Sequence, residues 1–227
     1  MIVAIDGPSG AGKSSVSKAA ARELGFSCLD TGAMYRAVAW RALRDGIALD
    51  DAEALGRIAR GHDIEFEHEP GDPVAKRVFI GGEEVTRAIR TAEVDRAVSA
   101  VSAVPAVREA LVEQQRRIGR SGDYVVEGRD IGTTVFPDAE VKVFLTASAQ
   151  ERARRRVRQN AKRGVGSTDY DEVYADIVAR DEHDSARAAS PLRPAEDAVI
   201  IDSTDAAKQD MIDAVINLAK QARGEAL

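Results

Sequence analysis

Met1-Ile2-Val3-Ala4-Ile5-Asp6-Gly7-Pro8-Ser9-Gly10-Ala11-Gly12-Lys13-Ser14-Ser15 opens the chain. Its first six residues form a short, nearly continuous apolar run, the pattern of a parallel strand buried on both faces. Gly7 to Ser14 then fits G-x-x-x-x-G-K-[ST], and helical periodicity with an apolar face at Val16, Ala19, Ala20 and Leu24 begins directly behind it. Strand, glycine turn, helix is the context this motif requires. The glycines let successive N–H groups face one polyphosphate, and the helix N-terminus adds partial positive charge. Gly7 through Ser15 are the expected cradle. Lys13 reaches the β- and γ-phosphates, and Ser14 carries the hydroxyl suited to Mg²⁺.

Outward from this stretch, strand and helix patterns alternate. Phe26 to Leu29 reads as a second strand, Gly32 to Arg44 as a helix, and Asp50 or Asp51 as the cap of a shorter helix. The middle changes character. Ile64, Phe66 and His68 alternate with Glu65 and Glu67, Pro70 to Pro73 is a turn cluster, and Val74 to Ile80 followed by Gly81-Gly82 predicts a hairpin. Residues of about 63–86 thus look like an antiparallel insert. Helical patterns return around Val94 to Val101, then behind Pro105, which suits a first helical turn. Tyr124 to Glu127, Val141 to Leu145 and Ala198 to Ile201 read as strands. Ser148 to Glu151 is a capping box, a helix is expected over about Asp169 to Arg180, and a terminal helix carries Met211, Ile212, Val215 and Leu218. Strands alternating with helices predict a parallel α/β sheet covered on both faces.

Composition narrows the class. The chain has 227 residues, 44% hydrophobic and 31% charged, enough for one large domain with inserts. A net charge of −6 argues against broad nucleic-acid binding, and 4% aromatic residues argue against stacking platforms for single strands. One cysteine, Cys28, excludes an intrachain disulfide framework, fits a reducing compartment and reads as a small buried hydrophobe. No apolar run approaches the roughly 20 residues of a membrane span, and the N-terminus lacks a signal-peptide pattern. A cytoplasmic monomer, with no nucleic-acid or membrane partner, is the expectation.

The basic residues cluster. Arg152, Arg154, Arg155, Arg156, Arg158, Lys162 and Arg163 crowd one helix before Gly164-Val165-Gly166, with Arg152, Arg155 and Arg156 on one face. Such a face either meets an anion, as a lid over phosphates would, or is simply solvated. Tyr35-Arg36 and Glu127-Gly128-Arg129-Asp130 follow predicted parallel strands, at the ends where open α/β sheets bind ligands. Glu127 is placed to orient Mg²⁺ through water. Arg180, Asp184 and Arg187 have the spacing of ordinary helix-surface pairs but gain interest beside a phosphate loop. Neither an Asn/Thr-Lys-x-Asp base reader nor an Asp-x-x-Gly switch occurs, so a regulatory GTPase is excluded. A small-molecule kinase fits better, the rival class being a nucleotide-binding module without phosphotransfer.

Together with the phosphate loop, Leu29-Asp30-Thr31-Gly32-Ala33-Met34-Tyr35-Arg36, Ile89-Arg90-Thr91, Pro105-Ala106-Val107-Arg108, Glu127-Gly128-Arg129-Asp130-Ile131-Gly132-Thr133, Phe136-Pro137-Asp138-Ala139 and Arg180-Asp181 resemble bacterial cytidylate kinases over nearly the whole length. The resemblance implies an α/β, three-layer nucleoside monophosphate kinase fold with five parallel strands, a small antiparallel β insert and a lid. It implies one kinase domain: core 1–31, 105–150 and 168–227, acceptor-binding region 32–104, and lid about 151–167. It further implies transfer of phosphate from ATP to CMP or dCMP with Mg²⁺. By carry-over, Lys13 and Arg155 or Arg156 serve ATP, while Tyr35, Arg36 and Arg129 grip the acceptor phosphate. Ser99, Arg108 and Asp130 read cytosine, and Thr31, Arg180, Asp184 and Arg187 border sugar and phosphates. Lys13, Arg129, Arg155, Arg156 and Arg180 are the expected catalytic set. The family often has Ser at the position of Thr31 and Asp at that of Glu127; both changes keep the functional group.

Overall fold

The fold is described from a computed structural model, covering residues 1–187 and 189–225. Five parallel strands form the main sheet: β1 (Ile2–Asp6), β2 (Ser27–Asp30), β6 (Tyr124–Glu127), β7 (Val141–Thr146) and β8 (Val199–Asp202), in the order β2-β6-β1-β7-β8. The apolar run at the N-terminus is therefore the central strand, with Val3, Ala4 and Ile5 fully buried. It pairs with β6 on one side and β7 on the other. Loops leaving the carboxyl ends of β1, β2 and β6 consequently converge, as expected of an open α/β sheet.

Helices cover both faces. On one, α1 (Lys13–Leu24) and α8 (Lys208–Arg223) pack Val16, Ala20, Val215 and Ala219 against Val3, Ile5 and Val143. On the other, α2 (Thr31–Arg44), α3 (Ala52–Gly61), α4 (Ala92–Ala103) and α5 (Pro105–Gly119) bury Met34, Val38, Leu55, Val101 and Leu111. Met34 is fully buried in this core. Trp40 lies at its margin, with the Arg44 guanidinium 5.2 Å above its ring. Among the described residues, no helix is long and apolar enough to cross a membrane.

The insert is a second sheet of β3 (Ile64–Glu67), β4 (Arg77–Ile80) and β5 (Glu83–Glu84), all antiparallel. Ile64, Val78 and Ile80 join the core built by α2 to α5, so the insert is an extension of that half. The strand expected from Val74 begins only at Arg77. Asp72 accepts from the Val74 amide at 3.0 Å, and Cys28 donates its amide to the Pro73 carbonyl at 3.0 Å. Residues 73–74 thereby cover the outer edge of β2, a use that withdraws them from the hairpin.

The basic helix is α6 (Ala149–Arg163), capped by Ser148 and ended by Gly164 in left-handed backbone. It packs on α7 (Tyr170–Ser185) through Ala153, Val173 and Ile177. Helix α7 runs five residues beyond the expected end at Arg180. Asp181 and Asp184 bond to arginines, which stabilises the added turn.

Candidate active site

The loops after β1, β2 and β6, helices α2, α4 and α5, and the α6–α7 pair line a cleft of ≈ 980 Å³ that runs from the glycine loop to Asp130. At one end, Gly7 follows Asp6 with φ 144°; a Cβ there would lie 1.9 Å from the Leu145 carbonyl oxygen, so the loop can leave the sheet only through glycine. Lys13 is buried, and its Nζ donates to the Gly7 and Pro8 carbonyls at 2.7 and 2.8 Å. Burial, reinforced by Arg129, pushes its pKa well below the usual lysine value. A polyphosphate in the loop would restore the charge.

The arginines of α6 sort by direction. Arg152 is almost fully buried, donates to the Ser9 carbonyl at 3.2 Å and grips Asp181 with both terminal nitrogens. Arg155 bonds the Ser203 hydroxyl at 2.9 Å and the Ala11 carbonyl at 3.4 Å. Arg156 donates to the Ser9 hydroxyl at 2.8 Å. Arg154 and Arg158, by contrast, are 60% and 69% exposed and pair only with Glu151. The expected common face exists, and it looks at the glycine loop. Arg152, expected on this face but given no individual role, is its most buried member.

The other end is built from side chains. Arg108 and Asp130 form an ion pair with both side chains 6% exposed, and the Arg108 guanidinium lies 5.5 Å from the Tyr35 ring. Arg129 donates to Asp184 at 3.2 Å, Arg187 pairs with the same carboxylate, and Arg180 approaches it at 3.9 Å. Asp184 is 1% exposed. Burial works against its charge, but Arg129, Arg187 and Arg180 outweigh it and hold the pKa below the usual value. Three guanidiniums thus share one carboxylate. Burial, then Arg129 and Arg36, push Arg180 down to about 9, and the Nε atoms of Arg180 and Arg187 have no hydrogen-bond partner among the described residues. This end of the cleft has cationic donors left over for an anion.

Between the ends, Thr31 donates its hydroxyl to the Glu127 carbonyl at 2.7 Å. Glu127 is buried and its Oε1 has no partner among the described residues. Burial, with Asp30 nearby, pushes its pKa up to about 7, while Lys13 and the Ser14 hydroxyl work in the opposite direction. An unpartnered carboxylate oxygen beside a hydroxyl in a phosphate cleft suits a hard divalent cation such as Mg²⁺.

Most of the expected residues therefore meet in one cleft. Ser99 does not line it; its carbonyl instead accepts from the Ser102 hydroxyl at 3.0 Å. Ser102, one turn later on α4, faces the cleft and accepts from Arg187 at 2.9 Å. Asp6 was also missed. It is 5% exposed, and its two oxygens accept from the Ile131 and Gly132 amides, both at 2.8 Å. It ties the strand before the glycine loop to the loop carrying Arg129 and Asp130. A lone acidic residue at a strand end gives no such signal, because its partners lie 125 residues away. Asp95 on α4, likewise unmarked in sequence, reaches both Arg36 and Arg156.

The cytidylate kinase family model matches residues 3–221. The cytidylate kinase of Mycolicibacterium paratuberculosis (strain ATCC BAA-968 / K-10) is 53% identical over 223 residues, covering 97% of this chain and 96% of the relative. That of Geobacter sp. (strain M21) is 51% identical, covering 97% and 93%. The bifunctional pantoate ligase/cytidylate kinase of Synechococcus sp. (strain JA-3-3Ab) is 52% identical across 97% of this chain, which spans only 41% of that longer relative. With a family match over almost every described residue and high identity along full-length relatives, this chain belongs to the cytidylate kinase family.

Proposed function

We propose that this chain transfers the γ-phosphoryl group of ATP to the phosphate of CMP, and of dCMP, giving ADP and the pyrimidine diphosphate. The observation that carries this reading is the spacing of functions along one cleft: a glycine loop with Lys13 at one end, surplus arginine donors at the other, and a buried Arg108–Asp130 pair beyond them. The acceptor phosphate oxygen attacks the γ-phosphorus in line, so no side chain becomes covalently bonded. Positioning and charge neutralisation supply the rate.

Gly7 to Ser15 hold the donor phosphates, and Lys13 leaves its carbonyl partners for the β- and γ-oxygens. Arg155 and Arg156 approach from α6, in a lid of about 151–167 that closes over the donor and excludes water. Tyr35, Arg36 and Arg129 hold the acceptor phosphate, with Arg180 neutralising charge between donor and acceptor. Thr31, Asp184 and Arg187 border the sugar. Asp130, oriented by Arg108, accepts from the exocyclic amine of cytosine; uracil offers a carbonyl there and is repelled. Ser14 and Glu127 would hold Mg²⁺, which, bound with ATP, offsets negative charge on the β- and γ-oxygens. The segments 32–104 and 1–31, 105–150 and 168–227 form the acceptor-binding region and core. We place the working enzyme in the cytoplasm as a monomer, in keeping with its single buried thiol.

An acceptor panel tests the reading. With Mg·ATP, coupled ADP release should be fast for CMP and dCMP and at least tenfold slower for UMP and dTMP, the scale of one base-edge hydrogen-bond difference. ATP binding without ADP release on any acceptor would overturn it.

A further inference from the structure

Asp95 stands between the two walls of the cleft. Its Oδ1 accepts from Arg36 Nε at 3.1 Å, and its Oδ2 lies 3.8 Å from an Arg156 terminal nitrogen. Arg36 belongs to α2, on the acceptor side, whereas Arg156 belongs to α6 and already touches Ser9 of the glycine loop. Among the described residues, no other carboxylate lies within ion-pair distance of either guanidinium. Burial lowers the Arg156 pKa, Arg36, Arg163 and Arg129 lower it further, and Asp95 works against that fall. The carboxylate is 34% exposed, so it can be released to water.

A carboxylate held by two guanidiniums is the arrangement a phosphate group would adopt in the same place. Resting on the acceptor role given to Arg36 above, we infer that Asp95 is a built-in competitor for the acceptor phosphate: it pairs Arg36 with Arg156 when no nucleotide is bound and weakens the binding of the phosphate that displaces it. The competition is electrostatic. A phosphate that takes Arg36 from Asp95 leaves an unpaired carboxylate a few ångströms from a dianion, a distance at which water screens the repulsion only in part. Asp95 therefore sets the phosphate affinity of the acceptor site without touching the base or the sugar. It also limits retention of the product, whose phosphates meet the same carboxylate.

Asp95→Asn keeps the shape and removes the charge; Asp95→Glu keeps the charge. Calorimetric titration with CMP should give Asp95→Asn a Kd about 3–10-fold lower than wild type, the range expected for removing one partly screened like charge. Asp95→Glu should stay within about twofold of wild type. Cytidine, which lacks the phosphate, should bind all three proteins equally. A merely structural ion pair would loosen CMP when broken, so unchanged or weaker CMP binding by Asp95→Asn overturns the inference, as does equal tightening of cytidine. Wild-type protein that binds no CMP would overturn the acceptor reading itself, and the inference with it. Wild-type binding without tightening in Asp95→Asn would overturn the inference alone.

Discussion

The two ends of the cleft are built by different means. The donor end is made of backbone: a glycine turn, the first turn of α1, and one buried lysine held across the loop by two carbonyls. Its shape is fixed by one stretch of chain leaving the central strand. The acceptor end is made of side chains from α2, α4, α5, the loop after β6 and α7, joined by arginine–carboxylate pairs. A backbone cradle is pre-formed and recognises any polyphosphate. A side-chain network reads a particular acceptor, but each member depends on its partners, and removing one leaves another buried and unpaired. Under the proposed function, generic recognition thus sits on the backbone element and specific recognition on the side-chain network.

The contrast predicts that the donor end fails in rate and the acceptor end in selectivity. Lys13→Ala should lower kcat by about 10²–10³, equivalent to about 3–4 kcal/mol, because the charge it supplies is needed most in the transition state. CMP affinity should change far less. Steady-state kinetics with Mg·ATP and CMP measures both, and more than a tenth of wild-type kcat would remove Lys13 from the mechanism.

Asp130→Asn should do the opposite. The carboxamide retains the outline beside Arg108 but can donate to a carbonyl, so uracil is no longer repelled. The CMP:UMP ratio of kcat/KM should shrink roughly 5–150-fold. Should Asp130 serve only to neutralise Arg108, both acceptors would lose activity by the same factor and the ratio would survive.

The same division governs what the sequence reveals. The glycine loop, its strand and its helix are contiguous, so an eight-residue pattern identifies them. The hairpin and the helix caps are equally local: Gly81-Gly82, Ser148 and Pro105 act on neighbours a few residues away. The acceptor end has no local pattern. Arg180, Asp184 and Arg187 are spaced like a surface pair, and only the fold brings Arg129 to them. The family resemblance carried these residues; spacing alone favoured a bland reading. Where neither local chemistry nor resemblance spoke, roles went unseen. Asp6, Asp95 and Arg152 act on groups 29 to 143 residues away. Ser102 is closer to its neighbours on α4, but its bond to Arg187 also crosses the cleft.

Asp6 joins the two ends, and acid titration can isolate it. Burial pushes its pKa from 3.8 up to about 6, against the pull of the Ile131 and Gly132 amides. A raised folded-state value contributes stability that is fully present below pH 3.8 and lost as pH rises through about 6. Asp6→Asn lacks this dependence. Between pH 5 and 8 the stability of wild type relative to Asp6→Asn should therefore fall by about 1 kcal/mol, or about 2–4 °C in Tm. Comparing the two chains cancels the titration of groups that do not interact with Asp6; Lys13, whose charge Asp6 supports, is read together with it. A gap that stays constant over that range would show that Asp6 ionises as an ordinary carboxyl.

The smallest effect belongs to the arginines that face away from both ends. Arg154 and Arg158 project into solvent and share Glu151, whereas Arg155 and Arg156 reach the glycine loop. Ion pairs of exposed arginines contribute only about 0.2–1 kcal/mol, whether three residues apart like Glu151 and Arg154 or seven like Glu151 and Arg158, and replacing one such arginine leaves no buried charge alone. Arg154→Ala and Arg158→Ala should each change kcat and both KM values by less than about twofold. If electrostatic attraction by the whole basic helix drew ATP in, the two substitutions would instead raise the KM for ATP together, and the rise would vanish in high salt as screening removed the long-range field. Measuring KM for ATP at low and high ionic strength separates a face that touches phosphate from a helix that merely attracts it. The proposed phosphate contact belongs to Arg155 and Arg156, which face the glycine loop, so the outward pair should leave the salt dependence of wild type unaltered.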